Sequence, residues 1–544
     1  MNRFADAAVT SATSTRNPFW KDRTIDDYFS EMAARAPNKL AVVAYRSDAG
    51  DAPVKHLSYA QLGKFVDRFA GALRALGVGR GDIVAIQLPN WWEFVVASLA
   101  VGRLGAVLNP LMPIFREREL SFMLGLTEAK VLIVPSTFRG FDHAAMAHGL
   151  KSQLPALNHV IVVGGNGPNA FDTLLEPGHG DDVPYVPDAG LNPDEFALLM
   201  FTSGTTGEPK GVMHSSNTLV CLTYAFANRA HLDASTVIFG CSPIGHMTGY
   251  AAAMLQSIRM GATLVLLDAW EAARAVRIMA AERITYVMAA TSFLSDICNA
   301  VANGGPKPTA LRAYLCGGAP IPPALVERAQ RELGVPVCSE WGMTESLLGT
   351  LTEPERAAEK SVKTDGCPVE GMEVRVVDDQ GTPVPAGVTG MLMARGAQMF
   401  LGYFKRPDIP TVDADGWFNT GDLAFADEEG YIRINGRAKD VLIRGGENIP
   451  VIEIESLLYQ HPLVVEVAIV GYPDERLGER SCAFVTLKPG TTLTLSDVQA
   501  WMAQHKTAKQ YWPERLEILQ SLPRTLSGKI QKFILKEQLK NDRA

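Results

Sequence analysis

Leu198-Leu199-Met200-Phe201-Thr202-Ser203-Gly204-Thr205-Thr206-Gly207-Glu208-Pro209-Lys210-Gly211-Val212-Met213-His214-Ser215 is the stretch from which the rest of the chain is read. An apolar run suited to a buried strand breaks into Gly, Ser and Thr, then closes on a lysine beside another glycine. Glycines allow backbone N–H groups to turn toward one anion, hydroxyls add donors and the lysine adds charge, so the loop suits phosphate. It is not the ordinary P-loop, because no glycine pair spaced by four residues runs into Gly-Lys-Ser or Gly-Lys-Thr. A plain surface turn is the competing reading. It does not explain why three Thr, one Ser, three Gly and a Lys crowd into residues 202–211 behind an apolar strand.

At 544 residues the chain exceeds what one hydrophobic core serves, so two or more domains are expected. A net charge of −8 argues against a general nucleic-acid binder. The seven cysteines contain no Cys-x-x-Cys pair, which removes the usual zinc and disulfide patterns and favours a reducing, cytoplasmic setting. Met1 to Trp20 lacks a signal-type apolar core, and no run approaches the roughly 20 apolar residues of a membrane helix.

Apolar periodicity gives the architecture. Ser58 and Gln61 make a capping box for a helix whose buried stripe is Leu62, Phe65, Val66, Phe69, Leu73 and Leu76, stopped by Gly77 and Gly79. Continuous apolar strands at Ile83 to Leu88, Val131 to Val134 and Val160 to Val163 alternate with helices, which predicts stacked βαβ units. Gly165 to Ala170 imitates a dinucleotide loop, but Pro168 and the Pro-, Gly- and Asp-rich run before Phe196 read as a linker. Strands resume at Thr263 to Leu267, Thr285 to Met288 and Arg312 to Cys316. From about Lys363 the texture changes to short strands between turns, at Val374 to Val377, Gly390 to Ala394 and Tyr431 to Ile434. After Arg437 comes a compact α+β unit. The expectation is an α/β protein. A large N-terminal domain, 1–436, holds α/β subdomains near 21–190 and 191–362 and a β-barrel-like subdomain over 363–436; a small mobile α+β domain spans 437–544.

Five further segments carry chemistry. Ser339-Glu340-Trp341-Gly342-Met343-Thr344-Glu345 joins a large π face to a hydroxyl and a carboxylate. Cys316-Gly317-Gly318-Ala319-Pro320 follows a strand with glycines that permit close approach. Gly416-Trp417-Phe418-Asn419-Thr420-Gly421-Asp422-Leu423 offers a carboxylate able to accept two O–H donors. Asn435 to Ile449 contains Arg437, Lys439, Gly445 and Gly446 where the texture changes. Pro523-Arg524-Thr525-Leu526-Ser527-Gly528-Lys529-Ile530 places a lysine near the C-terminal end. Taken singly, a capping Thr, a turn Asp and a solvated Lys are the ordinary readings of these residues.

Together the segments resemble the adenylate-forming superfamily, which comprises acyl-CoA synthetases, adenylation domains of peptide synthetases and beetle luciferases. The acyl-CoA synthetase branch fits best, over roughly Ile25 to Lys532. The resemblance implies ATP, Mg²⁺ and coenzyme A acting on a small-molecule carboxylate, with AMP as product. ATP and AMP contacts are implied for Thr202, Ser203, Gly204, Thr205, Thr206, Gly207, Lys210, Gly317, Gly318, Ala319, Pro320, Glu340, Trp341, Gly342, Asp422 and Arg437. Thr344 would touch the α-phosphate, Glu345 would hold Mg²⁺, and Lys529 would bridge the acid carboxylate and the α-phosphate. Lys439 would be the hinge about which the small domain turns, and Gly445 and Gly446 would line the coenzyme A channel.

Cys241 to Tyr250 resembles the entrance of the acyl pocket, with His246 as gate and catalytic residue; Gly249, Ala290 and Gly317 are further expected walls. These pieces carry no Asp, Glu, Lys or Arg, so the pocket reads as apolar, without a partner for an amino acid's ammonium. The wording of Phe201 to Ser215 is similar to cyclohexanecarboxylate–CoA ligases. Val369 stands where the family commonly has Pro before the glycine. Competing readings are a non-catalytic nucleotide or acyl-adenylate binder, an enzyme loading a carrier protein, and a phosphotransferase releasing ADP. Homo-oligomerisation is compatible with the sequence and not specified by it.

Overall fold

The computed structural model describes residues 17–186, 190–202, 209–319, 321–438, 442–444, 447–474, 476–525 and 528–541. Two large sheets form the body. One has nine strands, with Leu40–Tyr45, Thr263–Leu267, Val237–Gly240, Tyr286–Ala289, Ala313–Cys316 and Val337–Met343 running parallel through its centre. The other has seven, with Ile83–Ile86, Val107–Pro110, Val131–Pro135, His159–Val163 and Phe196–Thr202 parallel and Lys210–Ser215 antiparallel. Parallel strands bury both faces, which explains their nearly unbroken apolar runs.

The largest core lies between these sheets and draws on both: Val84, Ile86 and Leu198 from one, Val42, Leu264, Tyr286 and Leu315 from the other. Helix Tyr59–Ala75 enters this core along Leu62, Val66, Phe69 and Leu73, and Ser58 and Gln61 close the expected capping box. Helix Trp92–Arg103 is apolar around most of its girth and correspondingly buried.

The strands do not divide at residue 190. Leu40–Tyr45 and Lys55–Ser58 sit in the nine-stranded sheet with later strands, whereas Phe196–Thr202 and Lys210–Ser215 complete the seven-stranded sheet begun before residue 190. The Pro- and Gly-rich connection between them is packed in part. Phe171 is fully buried with its ring centroid 4.5 Å from that of Phe69. Gly71 lets the backbone at Asp181 lie against the helix, because a Cβ there would overlap the Asp181 carbonyl.

Met372–Val377, Gly390–Gly396, Phe418–Ala426 and Ile432–Arg437 form a four-stranded antiparallel sheet. Its last strand continues past the expected end at Ile434, which makes Arg437 the cross-strand partner of Asp422. The C-terminal unit is a five-stranded sheet built on the long pair Val464–Asp474 and Gly478–Leu487, with helices Val451–Tyr459, Leu495–Gln504 and Lys532–Asn541. Among the described residues no helix is long and apolar enough to cross a membrane.

Candidate active site

The chemistry-bearing segments converge at the C-terminal ends of Ala313–Cys316 and Val337–Met343, where the four-stranded sheet and the C-terminal loop also arrive. Thr202 and Lys210 face each other across the antiparallel pair that frames the first loop. Ser203, Gly204, Thr205, Thr206 and Gly207 lie outside the described residues, as do Pro320, Lys439, Gly445 and Gly446. The Lys210 ammonium stands 4.9 Å from the centroid of the Tyr403 ring. The Tyr403 hydroxyl donates to Glu345 Oε1 at 2.9 Å, so lysine, phenol and carboxylate form one column. Tyr403 was not singled out from sequence. Its only local mark is an aromatic after Gly402, and its value comes from pairing beside Val212.

The Thr344 and Glu345 turn is pinned from both sides. His214 Nε2 donates to the Thr344 carbonyl at 2.7 Å, and Phe400 N donates to the Glu345 carbonyl at 2.9 Å. Burial pushes His214 down to about 4, so the ring is neutral at pH 7 and serves as a fixed donor. Leu347 takes a positive φ of 55° just after this turn.

Asp422 is buried and already held. The Trp341 indole N–H donates to Oδ2 at 2.9 Å, and Arg437 Nε lies 2.9 Å from Oδ1. One face of the indole rests on Gly349, where a Cβ would strike the ring. Gly342 is equally confined, since a Cβ there would overlap the Leu347 carbonyl.

Lys529 reaches this centre from the C-terminal loop. Its Cε would lie 3.5 Å from a Cβ placed on Gly318, so it passes over the Gly317-Gly318 turn beside Ala319. The loop that carries it is a tight turn: Gly528 N donates to Thr525 O at 2.9 Å, and Lys529 N donates to Thr525 Oγ1 at 3.1 Å. Gly528 has φ +87° and presses on the wall formed by Ala290 and Ser292. Burial and then the Arg437 charge lower the Lys529 pKa, against the opposing pull of Glu340, Asp422 and Glu345.

His246 lies within electrostatic reach of the same lysine. Burial and then Lys529 push it down to about 3, which leaves a neutral imidazole. Its Nδ1 accepts from Thr248 N at 3.3 Å and caps the short turn Met247–Gly249. Gly249 is required by contact, because a Cβ would overlap the Pro243 carbonyl. The loop is held by Asn90, whose Nδ2 donates to Gly240 O and Ser242 O and whose Oδ1 accepts from Ile244 N. Asn90 reads locally as no more than a strand stop. A π-helix, Tyr250–Leu255, follows and adds three small alanines, a deviation often found at binding sites.

Comparison with known proteins gives the family. Residues 29–404 match the family described as AMP-binding enzyme, and residues 453–529 match the AMP-binding enzyme C-terminal domain. The chain belongs to the AMP-binding enzyme family. It is 36% identical to the medium-chain fatty-acid–CoA ligase of Escherichia coli K12, over 96% of this chain and 91% of that protein. It is 34% identical to a salicylyl-CoA synthase / salicylate adenylyltransferase of Streptomyces sp., over 95% and 94%. An anthranilate–CoA ligase crystallised with anthranoyl-AMP superposes with a TM-score of 0.86 at 25% identity, covering 95% of this chain and 97% of that one. ATP-bound MatB from Rhodopseudomonas palustris gives 0.84 at 26% identity, covering 96% and 100%. The protein is an AMP-forming acyl-CoA synthetase with ATP and coenzyme A as substrates.

The segments expected to line the acyl pocket carry no charge of their own, but one of them, Gly317, has a carboxylate packed against it. Glu340 and Trp341 are strand neighbours and point to opposite faces. Trp341 joins the cluster under the four-stranded sheet, whereas Cys338, on the face of Glu340, joins the core between the two large sheets. Glu340 therefore projects toward Gly317, where a Cβ would overlap its carboxylate. Burial raises this carboxyl to about 7, with Lys529 opposing and Asp365 reinforcing the rise. Reading the wall segments separately missed it, because the parallel pairing of Cys316 with Ser339 is what sets Glu340 beside Gly317.

Proposed function

We propose that this synthetase activates a carboxylic acid of mainly apolar body, whether medium-chain, alicyclic or aromatic, as its acyl-adenylate with loss of pyrophosphate, and then passes the acyl group to coenzyme A. The observation that carries this reading is Lys529, brought from the C-terminal loop over Gly318 and within electrostatic reach of Glu345, Asp422 and His246.

In the first half-reaction the acid carboxylate attacks the α-phosphate and pyrophosphate departs. Lys529, as the ammonium, would offset charge on the attacking carboxylate and the α-phosphate. Lys210 and residues 202–207 would cradle the leaving phosphates. Asp422 would accept the ribose hydroxyls with Arg437 beside it, and Trp341 would pack on adenine next to Gly317 and Gly318.

Among the described residues no group of three or more His, Cys, Asp or Glu could hold a metal by itself. A single buried carboxylate, Glu345, oriented by Tyr403, fits a Mg²⁺ whose remaining ligands are phosphate oxygens and water. When bound, that ion would neutralise phosphate charge.

The second half-reaction needs room where Lys529 sits. We infer that residues 437–544 turn about Lys439 and bring Gly445 and Gly446 to line the pantetheine path. All seven cysteines are free, which favours the expected cytoplasmic setting. Acid-dependent exchange of pyrophosphate into ATP across aliphatic, alicyclic and aromatic acids, cyclohexanecarboxylate included, tests the reading. Mass detection of the CoA product completes it. Exchange without a thioester product would favour a carrier-loading enzyme, and ADP in place of AMP would refute the reaction.

A further inference from the structure

Two polar groups behind the Gly317 turn are left without partners by the chain itself. Glu340 is 8% exposed, and neither a hydrogen bond nor an ion pair reaches its carboxyl among the described residues. The Tyr286 hydroxyl is fully buried and likewise has no partner. The two share one face. Tyr286, Met288, Leu315 and Cys338 all belong to the core between the large sheets, and strand alternation puts Glu340 on that side with them. Glu340 is also among the charges that act on Tyr286. The same face receives Tyr250 and Met247 from the segment that carries His246.

A buried carboxyl without a partner is costly, and chains retain one where something else completes it. The room it occupies is made by Gly317, since any side chain there would displace it. Trp341 and Asp422, which would face the nucleotide, lie on the other side of the strand from the Glu340 carboxyl. Glu340 lies against Gly317 and Lys529 over the neighbouring Gly318, which sets the carboxyl toward the end where the acid function would sit.

We propose that Glu340, with Tyr286, determines specificity by accepting a hydrogen bond from a hydroxyl or amino group carried on the acyl body of the acid, close to its carboxylate. This deepens the ligase reading and rests on it. The apolar walls take the carbon frame and Glu340 reads the donor. A site built to hydrogen-bond a substrate OH or NH discriminates far more strongly against the analogue lacking it than an apolar slot discriminates by size.

The test is pyrophosphate exchange with matched acids on the full-length enzyme: benzoate, 2-hydroxybenzoate and 2-aminobenzoate, and octanoate against 3-hydroxyoctanoate. The donor-bearing member of at least one set is expected to lead in kcat/KM by on the order of 10⁴-fold, beyond the roughly 200-fold that size alone gives. Glu340→Leu should erase or invert that preference, with the change falling on the KM of the acid and not on that of ATP. Glu340→Gln keeps the shape and loses the charge; it should lower the preference at least about tenfold, and it decides the matter if the leucine variant does not fold. Exchange with all acids and no donor preference overturns this inference and leaves the ligase reading standing, as does a Glu340→Gln effect confined to ATP. A preference for free α-amino acids, lost in Glu340→Gln, would also overturn it, because the carboxylate would then be pairing an ammonium. No exchange with any acid overturns both readings.

Discussion

Gly528→Ala isolates the seating of the C-terminal loop from the chemistry of Lys529. Gly528 has φ +87°, and its Cα faces Ser292 Oγ and Ala290 Cβ, the latter 3.4 Å from where a Cβ would stand. Holding an alanine in the left-handed region costs about 1–2 kcal/mol. Ser292 can relieve its own overlap by rotating, so the backbone term sets the lower bound. If the docked loop is needed only for adenylation, about 1–2 kcal/mol off docking lowers the docking equilibrium constant by about 5- to 30-fold, which is the largest fall the population with Lys529 in place can show. Pyrophosphate exchange should fall measurably, by up to that factor. Thioester formation from supplied acyl-adenylate should be unchanged, because Lys529 is then not required at the site. Circular dichroism and the urea midpoint should match the parent, since the turn lies outside the main cores. Equal loss in both half-reactions, or exchange at the parent rate, would refute the reasoning.

Two further outcomes follow from the site. Tyr403→Phe removes the donor on Glu345 Oε1 and leaves the ring under Lys210, so about 1 kcal/mol of orientation is lost. The Mg²⁺ concentration for half-maximal exchange should rise about fivefold, and Mg²⁺-dependent ATP binding followed by calorimetry should weaken in step. Glu340 binds its proton more tightly when folded, with its pKa raised from an ordinary 4.5 to about 7 by burial. The folded state therefore holds more protons than the unfolded state between these values, and stability declines as pH rises from 4.5 to 7. The difference in urea-unfolding stability between the parent and Glu340→Gln should show this slope, flattening above pH 7, while the titrations common to both proteins cancel.

The elements that could be read in advance are those specified locally. Ser58 and Gln61 cap a helix within one turn of chain. Apolar runs such as Thr263–Leu267 declare buried strands because both faces are covered. Partnership between distant strands could not be read this way. Nothing near Leu40–Tyr45 announces that it pairs with Thr263–Leu267, so a boundary at residue 190 looked natural while both sheets interleave across it. The same limit governs the site. Trp341, Asp422 and Arg437 stand in distinctive segments and do come together. Tyr403, His214 and Asn90 act through contacts made only when distant strands meet, and each looks ordinary in its own segment. Glu340 was noticed for its motif, but its side-chain direction is a property of two paired strands and of the missing side chain at Gly317.

The most direct test is Lys529→Ala, with the two half-reactions measured separately on the same preparation. The account predicts that acid-dependent pyrophosphate exchange falls by about 10²–10³ or more, as expected when a preorganised charge is removed from the transition state. Thioester formation from supplied acyl-adenylate and coenzyme A should persist near the parent rate. Equal loss of both half-reactions, or exchange that survives the substitution, would contradict the placement of Lys529 at the adenylating centre.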